Sequence, residues 1–195
     1  DSGYYERYML SQNPQSLALE TAKKATGNIF LDNYVLDFLD VPDPMSEHDL
    51  QKSIIRNLKD FILEIGKDFT FVGEEYRVQV GNHDFFIDLL FYHRGLSCLV
   101  AFELKIGEFK PEYVGQINLY LEALDREVKK ENENPSVGII LCASKDDEVV
   151  EFALSRSLSP TMVAEYNLKL IDKKLLQKKL KEYIELAKLT EDENA

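Results

Sequence analysis

The spacing of hydrophobic positions changes several times along this chain, and each change predicts an element. Leu50, Ile54, Leu58, Phe61 and Ile65 recur at intervals of four and three, the mark of one amphipathic helix. Ser46-Glu47-His48-Asp49 reads as a capping box at its start, and Gly66 as its stop. The period then falls to two. Residues 69–72 and 76–80 suit a first strand with a turn or bulge at Gly73, and Gly81-Asn82-His83-Asp84 suits a turn into a second. His93-Arg94-Gly95-Leu96 predicts a tight hairpin into a third strand. Pro111 opens a helix to about Lys130, with Tyr113, Ile117, Tyr120, Leu124 and Val128 on its apolar side. Residues 137–142 are wholly apolar, as at the centre of a sheet covered on both faces. Residues 146–155 read as helix, 161–170 contain a strand, and 172–189 form a basic amphipathic helix. Ahead of these, residues 17–25 and 34–39 show loose helical spacing, and Val41-Pro42-Asp43-Pro44 is a linker. The order after residue 45 is α-β-β-β-α-β-α-β-α. This predicts an α/β fold, a mixed central sheet flanked by helices, with 1–45 as an N-terminal helical extension and linker and 46–195 as the main domain.

Three polar residues interrupt the apolar strands. Asp88 sits within Phe85-Phe86-Ile87-Asp88-Leu89-Leu90-Phe91-Tyr92, and Glu103 and Lys105 within Cys98-Leu99-Val100-Ala101-Phe102-Glu103-Leu104-Lys105. An unpaired buried charge costs several kcal/mol or is forced to neutralise. Two carboxylates and an amine can offset that cost by holding a divalent cation. If Arg94-Gly95 forms a two-residue turn, His93 pairs with Leu96 and Asp88 lies opposite Ala101. Glu103 is then its diagonal neighbour on the same face, roughly 7–8 Å away at the backbone. Lys105 follows on that face because the strand period is two. A slip of one residue would separate Asp88 from Glu103. Carboxylate oxygens suit Mg²⁺ or Mn²⁺, which activates water and stabilises charge on a phosphate oxygen. A lysine beside the ligands can orient that water. The same residues also fit a Glu103–Lys105 ion pair on a partly exposed face, with Asp88 a solvated edge residue.

Composition narrows the choice. With 195 residues, 45% hydrophobic and 30% charged, the chain suits one full α/β domain with some extra structure. No apolar run approaches the roughly 20 residues that span a bilayer, and no signal-peptide pattern opens the chain. The expectation is a cytoplasmic protein with no membrane partner. Cys98 and Cys142 lie in apolar runs, as reduced core thiols do. His48, His83 and His93 fit no zinc spacing. A net charge of −12 argues against a broad phosphate-binding surface of Lys and Arg. It does not exclude carboxylates that hold a metal ion. Lys173, Lys174, Lys178, Lys179 and Lys181 suit either a solvated helix face or a DNA-backbone contact. Arg77 suits either a phosphate contact or the surface. The start at Asp1 rather than methionine suggests a processed product or a fragment.

Asp88…Glu103-x-Lys105 resembles the active-site signature of the PD-(D/E)XK nucleases, whose restriction-endonuclease-like core is α-β-β-β-α-β. The strings Tyr34-Val35-Leu36-Asp37-Phe38-Leu39, Phe61-Ile62-Leu63-Glu64-Ile65-Gly66, Phe86-Ile87-Asp88-Leu89-Leu90-Phe91-Tyr92-His93-Arg94, Glu103-Leu104-Lys105-Ile106-Gly107, Gly115-Gln116, Asn134-Pro135-Ser136-Val137-Gly138-Ile139-Ile140-Leu141-Cys142 and Val163-Ala164-Glu165-Tyr166 resemble its YhcG-type branch. Together they cover about residues 34–170. The resemblance implies a metal-dependent DNA endonuclease domain, with Mg²⁺ or Mn²⁺ as cofactor and DNA as partner. It implies Asp88 and Glu103 as metal ligands, the Leu104 carbonyl as a third, and Lys105 as the catalytic lysine. Gln116 and Tyr120 match a Gln-x-x-x-Tyr element beside the site. Gln116 also reads as an exposed helix residue, and Tyr120 as a core aromatic. Many members carry a glutamate early in the first core helix, where this chain has Gln51. Glu47, one turn earlier, can substitute, or can be an acid favoured by the helix dipole. The branch also implies a DNA-binding helical domain ahead of this segment and missing from it. Two other readings stand beside the endonuclease: a nuclease-fold module that has lost cleavage, and a homodimer joined by edge strands or C-terminal helices.

Overall fold

Residues 34–39, expected as helix, open instead with a strand. The computed structural model describes residues 29–157 and 159–169, and in it β1, Asn33–Val35, pairs in parallel with a strand more than a hundred residues away, β6, Thr161–Asn167. Tyr34 faces Tyr166 across the ladder, and the Leu36 N–H donates to the Asn167 carbonyl at 2.8 Å. Tyr34 and Leu36 are fully buried. A free sheet edge with apolar surface to cover outweighed a weak helical spacing, so residues 33–35 belong to the sheet itself.

The capping box forms where it was expected. The Ser46 hydroxyl accepts from the Asp49 N–H at 3.1 Å and the Asp49 carboxylate from the Ser46 N–H at 3.0 Å, opening α1, Glu47–Arg56. The single helix predicted over 46–66 is broken at Asn57, and α2 runs Leu58–Ile65. Asn57 sits at φ −111° and ψ 31°, with its side-chain amide donating to the Ser53 carbonyl at 2.9 Å. Asparagine competes in this way for backbone groups inside a helical run. Gly66, at φ 123°, ends α2 as expected.

Three antiparallel strands follow: β2, Phe69–Val80; β3, His83–His93; and β4, Cys98–Leu104. The bulge expected at Gly73 is present, for Phe71 pairs with Phe91 and Gly73 with Leu90. Then come α3, Glu112–Glu127; β5, Val137–Cys142; and α4, Asp147–Leu154. The sheet order is β1-β6-β5-β4-β3-β2, with β4, β5, β6 and β1 mutually parallel. The fold is therefore α/β, a restriction-endonuclease-like mixed sheet with helices on both faces. Leu50, Ile54, Phe61 and Ile65 pack on one face against Phe91, Phe102 and Leu141. Val114, Ile117, Leu121 and Leu124 of α3 cover the other, against Leu90, Ala101 and Ile140. Both cysteines are buried free thiols, with pKa values pushed up to about 11 by burial. The lysine cluster of 173–181, the basic helix of 172–189 and the helical spacing of 17–25 lie outside the described residues.

The β3–β4 register differs from the expected one. The β3–β4 hairpin has a four-residue turn over 94–97, so His93 pairs with Cys98 and Leu90, not Asp88, with Ala101. Buried His93 accepts the Leu96 N–H on Nδ1 at 3.0 Å, and Ser97 adopts φ 49°. The predicted two-residue turn has no place for that side-chain acceptor. The slip is by two residues, however, and an even slip leaves every side chain on its face. Glu103 stays on the face assigned to it.

Candidate active site

The β3–β4 ladder is last paired at Leu89–Phe102, and Asp88 begins where the strands part. There the Leu104 N–H donates to the Asp88 carboxylate at 2.7 Å instead of to a strand carbonyl. From α1, the buried Gln51 amide donates to the Asp88 backbone carbonyl at 2.9 Å. Asp88 is thus held at both its side chain and its main chain. Burial raises its pKa, the Leu104 N–H and Lys105 oppose that, and Glu47 and Glu75 add repulsion. Glu75 lies between the pairs Glu74–Leu89 and Tyr76–Ile87, at φ 44°, and so faces the Asp88 position from β2.

Glu103 is only 2% exposed. Its Oε1 lies 2.9 Å from the Lys105 Nζ, while its Oε2 is buried with no hydrogen-bond partner. Burial and then the Asp88 charge push its pKa up to about 7. Lys105 is buried as well, and its Nζ lies 3.4 Å from a Glu47 carboxylate oxygen and 5.1 Å from the Tyr113 ring centroid. Burial alone would depress this ammonium, yet Glu103, Glu47 and Asp88 hold it above its ordinary value. A lysine flanked by three carboxylates and set over an aromatic face stays charged.

α3 brings Gln116 and Tyr120 to the same neighbourhood. The Gln116 amide donates to the Tyr120 hydroxyl at 2.7 Å. Tyr120 belongs to the core, and burial raises its hydroxyl pKa, with smaller contributions from Glu103 and Asp88. The core reading of Tyr120 thus holds, and its hydroxyl lies within electrostatic reach of Glu103 and Asp88. Arg77 is exposed and paired with Asp84 at 2.8 Å.

The structure brings Asp88, Glu103 and Lys105 together, and Glu47, Tyr113 and Glu75 join them. Glu47, read mainly as a dipole-favoured acid, reaches Lys105 from the first turn of α1. Tyr113 belongs to the apolar stripe of α3, and its place one turn before Gln116 is the sequence signal for its position beside Lys105. Glu75 gave no signal, because its position opposite Asp88 depends on the bulge. Among the described residues, no three His, Cys, Asp or Glu side chains converge as a ready-made metal-binding group. What suits a cation is a pair of oxygen donors: the unsatisfied Glu103 Oε2 and the neighbouring Asp88 carboxylate. Hard oxygen donors of this kind fit Mg²⁺ or Mn²⁺.

Residues 27–181 match the family model described as the YhcG PDDEXK nuclease domain. YhcG of Escherichia coli (strain K12) is 36% identical over 181 residues, which is 91% of this chain and 48% of that protein. The chain thus spans about half the length of this relative. Among solved structures, a repair endonuclease from Pyrococcus abyssi superposes with a TM-score of 0.42 at 19% identity, over 64% of this chain and 46% of the other. EndoMS in complex with double-stranded DNA gives 0.41 at 19% identity, over 62% and 43%. Likeness at that level carries nothing about what this chain does. The family match, in contrast, extends from ahead of β1 to beyond β6, and the chain belongs to the YhcG PDDEXK nuclease domain family.

Proposed function

We propose that this domain hydrolyses phosphodiester bonds in DNA with a divalent cation, Mg²⁺ or Mn²⁺, held by Asp88, Glu103 and the Leu104 carbonyl. The observation that carries the reading is Glu103, buried with one oxygen unsatisfied beside a second carboxylate and a charged lysine. Such an arrangement is costly in an empty protein and becomes favourable around a cation. When bound, the cation supplies positive charge that activates water and stabilises charge on phosphate oxygens. The remaining work falls to the chain. The Lys105 ammonium, aimed by Glu103 and Glu47, orients the attacking water or neutralises charge developing on the phosphate. Gln51 and the Leu104 N–H keep the Asp88 carboxylate from turning away. Gln116, anchored through Tyr120, is a positioning residue.

No helix among the described residues is long and apolar enough to cross a membrane, and a cytoplasmic location belongs to the proposal. So does a DNA-binding helical domain ahead of this segment, which would supply affinity that a chain of net charge −12 lacks. Light scattering tests the proposed homodimer. The central test is incubation with single-stranded, duplex and branched DNA plus Mg²⁺ or Mn²⁺. Wild type cleaves and Asp88→Ala does not; equal traces of activity in both sink the catalytic claim.

One observation favours a second reading, a nuclease-fold module for nucleic-acid binding or assembly that barely cleaves. At the helix position where a glutamate is expected, Gln51 spends its amide on a backbone carbonyl and brings no carboxylate. Calorimetric titration with Mn²⁺ separates the two. Absent binding, or binding unchanged by Glu103→Ala, favours the module.

A further inference from the structure

β2 and β3 continue together past the point where β4 leaves them. β3 pairs with β4 from Leu89 to His93, but its ladder with β2 runs on to Val80–His83. The result is a two-stranded ribbon over residues 76–87 that begins at Asp88. Tyr76, Val78, Phe85 and Ile87 turn one face of the ribbon onto the α3-side core. Strict alternation would put Ile87 with Leu89, so the strand twists at Asp88. The other face carries Arg77, Gln79, Asp84 and Phe86.

Phe86 is 52% exposed, and among the described residues the other exposed phenylalanine is Phe152. Phe86 lies two residues from Asp88 on the same strand, a backbone separation of about 7 Å. The inner face is already filled by Phe85 and Ile87, so the core does not need this ring. Directly opposite in register stands Arg77, whose guanidinium is also exposed and held by Asp84.

Resting on the nuclease reading above, we infer that Phe86 is the stacking platform for an unpaired base of the DNA strand at the site, with Arg77 beside it for a neighbouring phosphate. The surroundings favour stacking over charge. The chain carries −12 overall, and Glu74, Glu75 and Asp84 sit on the same two strands, so phosphate contacts alone give little affinity. An aromatic face binds any base without needing positive charge. It does need a base out of the helix, because duplex bases hide their faces against one another. The favoured substrate is therefore single-stranded or locally opened DNA.

The chain contains no tryptophan, so Phe86→Trp in an Asp88→Asn background gives a single fluorescent reporter in a protein that does not cut. An oligothymidylate quenches it, whereas an abasic strand of equal length and a blunt duplex leave it nearly unchanged. By fluorescence anisotropy, Phe86→Ala weakens binding of the oligothymidylate about 5- to 150-fold, and Phe86→Tyr restores it. Thermal melts of both variants show that the fold is kept, as befits a half-exposed side chain. No quenching, quenching by the abasic strand as strong as by the oligothymidylate, or wild-type affinity in Phe86→Ala overturns the inference. Its failure is separable from that of the nuclease reading. Asp88-dependent cleavage of single strands that Phe86→Ala leaves untouched removes the platform and keeps the nuclease. Base-dependent quenching without cleavage in any cation does the reverse.

Discussion

A carboxylate that keeps one oxygen unbonded inside a wholly buried strand, as Glu103 does in β4, destabilises the protein unless something pairs with it. Glu103→Gln removes that charge while leaving a group able to hydrogen-bond Lys105. In EDTA at pH 8 this variant is expected to be more stable than wild type by about 1–2 kcal/mol, read from denaturant midpoints, and to have lost cleavage. A variant less stable than its parent would make Glu103 a structural ion-pair partner instead. His93 sets a different dependence. Burial lowers its pKa below 6.5, and its Nδ1 accepts a backbone N–H, so the neutral ring is the native form. As pH falls, the unfolded chain takes the proton first, and stability complete above about pH 6.5 is lost toward the lower folded value. Denaturant midpoints should drop on acidification through that window, and His93→Asn should flatten the slope. At this scale the sequence named the residue types of the candidate site but not their hydrogen-bond partners. Nothing in a string of residues says that the Leu104 N–H will choose the Asp88 carboxylate, or that Gln51 will choose its carbonyl.

Elements were readable wherever one face is buried along several turns or strand residues. β4 and β5 follow from short, nearly continuous apolar runs and α3 from its helical period, since burial imposes each pattern locally. Three features did not follow. β1 is three residues long, too short for a period to appear. The α1–α2 break depends on one asparagine side chain, and the hairpin length depends on a histidine acceptor. The contact of α3 with the sheet is similarly specific. A Cβ on Gly138 would lie 2.6 Å from the Ile117 Cγ1 and 3.1 Å from a Leu121 methyl. Gly138→Ala is expected to cost about 1–3 kcal/mol, seen as a lowered melting temperature, because backbone and helix must move apart. Adding Ile117→Ala should cost less in the Gly138→Ala protein than in wild type. Strictly additive losses would show that β5 and α3 do not meet there.

Across the whole molecule, the site lies where α1, β2, β3, β4 and α3 converge, so occupancy by a cation should stabilise all of it. At a cation concentration about a hundred times its dissociation constant, linkage gives about 2.7 kcal/mol. For a chain of this size that is roughly 5–10 °C in melting temperature. Mn²⁺ is expected to produce such a shift in wild type, and Asp88→Ala and Glu103→Gln to abolish it; an equal shift in all three would place the cation elsewhere. By itself the sequence determined the alternation of helix and strand, the face on which Asp88, Glu103 and Lys105 stand, and the family. Local periodicity records which side of each element meets the core, and side-chain parity survives an even slip in register. Tertiary structure alone decided the length of the hairpin, the edge strand Asn33–Val35, the Glu47 contact with Lys105, the anchoring role of Gln51 and the unsatisfied Glu103 oxygen. Each of these joins groups distant in sequence or depends on how a turn closes. Their energies come from competition among burial, ladder hydrogen bonds and side-chain partners, a competition that only the folded chain resolves.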